Sequence, residues 1–157
     1  MSTQTTPVYQ LLYRSKAKEG LTLEDLVSIL KASRKNNPKH NVSGILIYRQ
    51  GYFLQILEGP EDKVVERYTI INKDPMHTDM KILAREKKFP RIFTDWSMGY
   101  LDDNSPNSGI KIETLNQLHD YAIKNAQPID PKVIQSILNT FRNGTRSLAE
   151  ELPSTNP

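Results

Sequence analysis

The residues of this 157-residue chain that invite chemistry are polar groups set among apolar ones. Gln55 interrupts Tyr52-Phe53-Leu54-Gln55-Ile56-Leu57, a run that is apolar on both alternating faces. Such a run belongs in a strand covered on both sides. An amide buried there must satisfy four hydrogen-bonding sites. Neighbouring backbone or water at a strand edge is the ordinary solution; a second polar side chain or a ligand is the alternative. Tyr13 ends the short apolar and aromatic stretch 8–13. Its ordinary role is a core ring with a bonded hydroxyl, but a phenol can also release a proton and an electron. Asn36-Asn37 stands just before Pro38, where asparagine is an ordinary helix end. Two amides at one helix end can equally donate to carbonyls and accept from an imide N–H, the polar edge of a flat heterocycle. In Asp95-Trp96-Ser97-Met98-Gly99, a period of two puts Trp96 and Met98 on one face. Plain core is the ordinary reading for both, and methionine suits a surface that repacks.

Other chemistries are poorly served. The chain has no cysteine, which excludes disulfides, thiolate-held metals and a cysteine nucleophile. His40, His77 and His119 have no metal-ligand spacing, and no Walker, GxGxxG or GxSxG motif occurs. Neither a catalytic centre nor a metal site is expected. Net charge is +3, with a pI near 9.0, too weakly basic to argue for nucleic acid. No apolar run reaches the roughly 18 residues of a membrane span, and residues 1–7 lack the basic and apolar regions of a signal peptide. A cytoplasmic protein without membrane contact is expected. Arg34-Lys35 and Lys87-Lys88 are expected to be solvated.

The elements that must position these groups follow from periodicity. Residues 8–13 read as a strand, followed by a polar connection over 16–20. Thr22 with Asp25 three residues later signals a helix start, and Leu23, Leu26, Val27, Ile29 and Leu30 continue it at helical spacing. Residues 42–48 and 52–57, separated by Arg49-Gln50-Gly51, form a hairpin. Pro60 opens a second helix carrying Val64, Val65, Tyr68 and Ile71, which Asp74-Pro75 ends. Residues 80–84 and 92–100 are weaker strand candidates. The order β-α-β-β-α-β-β predicts an α+β, ferredoxin-like fold, with two helices on one face of the sheet. Two further helices over 110–144, after a polar linker at 101–109, would cover the other face. Residues 1–7 and 147–157 are expected to be flexible termini.

The set Tyr13, Ser33-Arg34-Lys35-Asn36-Asn37, Val42-Ser43-Gly44-Ile45-Leu46-Ile47-Tyr48, Phe53-Leu54-Gln55-Ile56-Leu57-Glu58-Gly59 and Asp95-Trp96-Ser97-Met98 resembles the BLUF family. Members are blue-light sensors that use a flavin, normally FAD. The resemblance covers a photosensory domain at 8–100 and leaves 110–144 as a helical extension, as in short members that act through a partner.

The resemblance implies roles residue by residue. Tyr13 matches the photoactive tyrosine and Gln55 the switching glutamine. Asn36 and Asn37 match asparagines that bond the flavin's pyrimidine edge. Ile29 and Ile71 match apolar residues on either side of its ring. Asp74 and His77 lie where the family has a turn near the ribityl and phosphate chain. Trp96 and Met98 match a pair implicated in passing the signal. The implied event is an electron and a proton leaving Tyr13, relayed by Gln55, which ends rotated or as its other tautomer. Where the family often carries arginine, this chain has Ile70 and Met76, so FMN stands beside FAD as a possible cofactor. Output is expected through an unidentified effector protein, or through a homodimer or larger homo-oligomer. The rival readings are a ferredoxin-like module that binds nucleic acid or protein without photochemistry, and a small acylphosphatase-like hydrolase.

Overall fold

The computed structural model describes residues 7–89, 91, 97–102, 116, 119 and 120. The elements run β1 (Val8–Ala17), α1 (Leu23–Asn36), a 3₁₀ turn (Asn37–His40), β2 (Ser43–Arg49), β3 (Tyr52–Gly59), α2 (Glu61–Asn72), β4 (His77–Phe89) and β5 (Gly99–Leu101). They form one sheet in the order β4-β1-β3-β2-β5. β1 pairs antiparallel with both β3 and β4, β2 pairs antiparallel with β3, and β5 joins β2 in parallel. This is the split βαβ plan expected from the sequence, with a fifth strand on its edge.

Local chemistry explains the elements. Thr22 and Asp25 close a reciprocal capping box on α1, with bonds of 3.1 and 3.0 Å. The Thr22 backbone N–H, ahead of the nearby Lys18, holds the Asp25 carboxyl below its ordinary range. The hairpin turns at Gln50 and Gly51, with φ of 51° and 84°, a pair of positive angles that matches the right-handed twist of the strands. Asn41, at φ 57°, turns the chain from the 3₁₀ segment into β2.

Both faces of the sheet are apolar. Tyr9, Leu11, Tyr13, Leu46, Phe53 and Leu57 share one cluster with Leu26 and Leu30 of α1 and Val64 of α2, so both helices cover the same face. Leu12, Ile45, Ile47, Leu54, Ile56 and Leu101 are buried on the opposite face. There Arg49 donates to Asn116 Oδ1 at 2.8 Å, and the His119 ring lies 6.0 Å from Tyr52. The rest of 110–144, the termini apart from Pro7, and Trp96 lie outside the described residues.

Four expectations change. Of the strand expected over 92–100, the described part is β5, which leaves out Ser97 and Met98 and takes in Leu101 from the expected linker. β1 runs four residues past Tyr13, through part of the expected polar connection. β4 spans thirteen residues rather than the short segment 80–84. It is an edge strand paired along almost all of β1, and an edge lets charged residues alternate outward without breaking the ladder. Val65, expected on the apolar face of α2, is 44% exposed, because Val64, Tyr68 and Ile71 already fill that face.

Candidate functional site

The centre of the helix-covered face is a polar pair. β1 and β3 are neighbours in a register that sets Tyr13 opposite Gln55. Both side chains are buried, at 0% and 2% exposure. The Tyr13 hydroxyl donates to Gln55 Oε1. The other end of the same amide, Nε2, donates to Met98 Sδ at 3.7 Å. One glutamine therefore spans from a phenol to the thioether that immediately precedes β5. Burial pushes the Tyr13 phenol well above its ordinary value of 10.0; Tyr68 adds to the shift and the Arg67 guanidinium opposes it. Tyr68 meets Tyr13 edge-on, with ring centres 4.9 Å apart.

The end of α1 supplies a second set of polar groups. Asn37 is buried, and its Nδ2 donates to the Ser97 carbonyl at 2.7 Å. Arg34 Nε donates to the Met98 carbonyl at 2.8 Å. Arg34 is half-buried rather than solvated as expected, because that carbonyl gives its guanidinium a partner below the helix. Asn36 is half-buried and its side chain makes no cap bond, so a helix-capping role does not account for it. It follows Ile29 by seven residues, close to two turns, and so lies on the same flank of α1. Ile29 and Ile71 both pack, partly buried, against the core cluster.

Asp74 and His77 part company. Asp74 stays half-buried in the turn after α2, where its Oδ1 accepts from the Met76 N–H at 3.0 Å. His77 is buried as the first residue of β4, with Nδ1 2.9 Å from Ser15 Oγ and its ring 4.7 Å from that of Phe53. Burial lowers the imidazole pKa from its ordinary value, against a smaller opposing effect of Asp74. His77 is thus a buried wall of the Tyr13 and Gln55 face, at the start of β4 rather than in the turn.

Sequence reasoning overlooked Ser15, Phe53, Arg34, Tyr68 and Arg67 as members of this neighbourhood. The β1–β3 register that sets Tyr13 opposite Gln55 sets Ser15 opposite Phe53 two residues on, on the same face. Arg67 stands one helical turn before Ile71. Its Nε is buried without a hydrogen-bond partner among the described residues.

These residues fit a flavin. The apolar side chains Ile29 and Ile71 come from two different helices. The uncapped Asn36 amide offers both donor and acceptor, and the orphaned Arg67 Nε is a donor awaiting an acceptor. A flat ring edged with carbonyl and imide groups answers that set. A separate groove of about 550 Å³, lined by Leu23, Val27, Lys31 and Lys35, runs along the outer side of α1 and contains none of these residues. Among the described residues no group of three or more His, Asp or Glu could hold a metal, and no helix is long and apolar enough to cross a membrane.

Known proteins resemble this chain in sequence and fold. The family model for BLUF, "Sensors of blue-light using FAD", matches residues 8–99. The chain is 32% identical over 98 residues to the photoactivated adenylate cyclase subunit beta of Euglena gracilis, covering 62% of this chain and 11% of that protein. It is 33% identical over 92 residues to the blue light- and temperature-regulated antirepressor BluF of Escherichia coli (strain K12), covering 59% and 23%. The chain therefore spans about a tenth of the cyclase subunit and under a quarter of the antirepressor. The dark-state structure of BlrB, a BLUF protein, superposes with a TM-score of 0.73 at 26% identity, over 89% of this chain and 98% of that one. With the family model matched over residues 8–99, which take in β1 to β4 and both flanking helices, this chain belongs to the BLUF family of flavin-binding blue-light sensors.

Proposed function

We propose that this chain is a blue-light photoreceptor that holds a flavin noncovalently between α1 and α2 and signals by rearranging the hydrogen bonds of Gln55. The observation that carries the reading is the continuous chain Tyr13 hydroxyl, Gln55 amide, Met98 thioether. When bound, the flavin supplies absorption of blue light and an excited-state electron acceptor. Everything else falls to the protein.

Tyr13 is the donor. Its phenol is neutral, buried and already donates to Gln55 Oε1. Under light Tyr13 gives up an electron and, through Gln55, a proton; both return to it. Gln55 is left rotated or as its other tautomer. Glutamine suits this because its two ends have nearly the same shape and opposite hydrogen-bonding sense. Before the change its N–H faces Met98; a rotated amide turns its oxygen there. Met98 and Trp96 then pass the change on. Asn36 and Asn37 hold the pyrimidine edge, and Ile29 and Ile71 enclose the ring. Asp74 lies toward the ribityl chain. His77 supports that side through Ser15.

FAD is the proposed cofactor, on the family's description. Neither Ile70 nor Met76 offers a cation to a phosphate, so recognition rests on the ring, and FMN is the competing ligand. No catalytic turnover is assigned to this chain: it acts on an effector protein or through its own homo-oligomer. The test is an absorption spectrum of the purified protein with added FAD or FMN, dark and after blue light. Flavin bands that shift slightly red and recover in darkness support the reading. A colourless protein that takes up neither flavin favours the binding-module alternative.

A further inference from the structure

We propose that Arg34 is a positioning residue for signal output. Its bond to the Met98 carbonyl makes the end of α1 a second tie, beside Gln55, between the flavin site and β5. The inference rests on the photoreceptor reading and adds to it an output residue outside the Tyr13–Gln55 pair.

β5 has only three residues and meets β2 in three parallel register pairs. So short an edge strand is weakly held by its own ladder. Its entry, Ser97-Met98, is instead held by side chains. Asn37 Nδ2 donates to the Ser97 carbonyl, Arg34 Nε to the Met98 carbonyl, and Gln55 Nε2 to the Met98 sulfur. These bonds are unequal. Sulfur is a weak acceptor, and 3.7 Å is long. The Arg34 bond is charge-assisted and 2.8 Å. Rotation of Gln55 breaks only the weak one. Met98 can then swing its thioether while its backbone stays pinned by Arg34. The pin turns a local side-chain movement into a directed one and keeps the strand entry in register. Without it, the same rotation at Gln55 meets a loosely held segment and its effect dissipates. Asn37 adds a static link, because its Nδ2 holds the Ser97 carbonyl and takes no part in the rotation of Gln55.

The experiment uses the full chain with Arg34→Leu and Arg34→Lys. Flavin occupancy and the red shift report the event at Gln55. The light-driven change in fluorescence of Trp96, the one tryptophan, reports its arrival near β5. Loss of a charge-assisted bond should move the coupled equilibrium about tenfold. Arg34→Leu should therefore keep flavin and red shift while the Trp96 response falls about tenfold relative to that shift. Arg34→Lys, which keeps a cationic donor, should recover much of it. A Trp96 response in Arg34→Leu equal to that of the unmodified protein overturns the proposal. So does a proportional fall in occupancy, shift and response, the mark of a merely structural residue. If Arg34→Leu does not fold, Arg34→Gln replaces it, with the same outcomes deciding. The infrared band of the carbonyl-labelled Met98 gives a readout without light: losing Arg34 should raise its frequency, and an unmoved band overturns the bond. An unmodified protein with no red shift defeats the photoreceptor reading instead, while the carbonyl band still judges the Arg34 contact.

Discussion

At the scale of the residue, the account turns on Tyr13 and Gln55. Tyr13→Phe removes one oxygen and keeps the ring. The variant is expected to bind flavin and show no reversible red shift; a normal shift would remove Tyr13 from the photochemistry. Gln55→Leu keeps the volume and loses the relay, with the same expected spectrum. His77 carries a different prediction. Its imidazole pKa is lowered by burial in the folded chain. On acidification the unfolded chain therefore takes up a proton first, from the ordinary value near 6.5 downward. Stability is whole above that value and falls as pH drops through the window, by at most about 1.4 kcal/mol per pH unit from this group. Denaturant titrations across this range should show the fall, and His77→Leu should flatten it. That Tyr13 and Gln55 act together was implied by the family resemblance; what sets them opposite each other is the register of β1 on β3. Arg34 was not legible in the sequence. A cation before two asparagines reads as solvated until the fold brings a carbonyl from sixty-four residues away to it.

At the scale of the element, the site depends on the close approach of β2 to β3, which carries Gln55. A Cβ at Gly44 would lie 2.0 Å from the Ile56 carbonyl oxygen, so Gly44→Ala must push the two strands apart. We expect a loss of about 1–3 kcal/mol, read by denaturant unfolding. An unchanged midpoint would mean that the hairpin yields at no cost. The end of α1 is tested by Asn36→Ala, expected to weaken flavin retention on dilution and gel filtration. Full occupancy would leave Asn36 a bystander. α1, the hairpin and the start of α2 were legible because capping boxes, positive-φ turns and proline breaks are local signals. β4 was largely illegible. Its charged residues alternate on an exposed edge, and its length is set by pairing with β1, a partner about seventy residues distant in sequence. The burial of His77 follows from that extension, which turns an expected turn residue into the first residue of a strand.

At the scale of the whole molecule, BLUF domains signal to effector partners, and the proposed output of this chain needs a surface that changes with light. The sheet face opposite the flavin site is apolar and buried, and Arg49 and Tyr52 meet Asn116 and His119 there. A change that reaches β5 reaches the edge of that same sheet. We expect sedimentation velocity to report a homodimer or larger assembly whose distribution, or whose affinity for an effector, differs between dark and light. A monomer unchanged by light would place the whole output on an effector. At this scale the sequence offered only the need of a two-sided sheet for a second cover, because contacts between chains leave no local signal in one chain.

The most direct test of the central claim is the absorption spectrum of the flavin-loaded protein, in darkness and immediately after blue light. The account predicts oxidised flavin bands that shift slightly to the red, keep their intensity and return in the dark. Bands that bleach instead would signify a different flavin photochemistry and contradict the role given to the Tyr13–Gln55 pair.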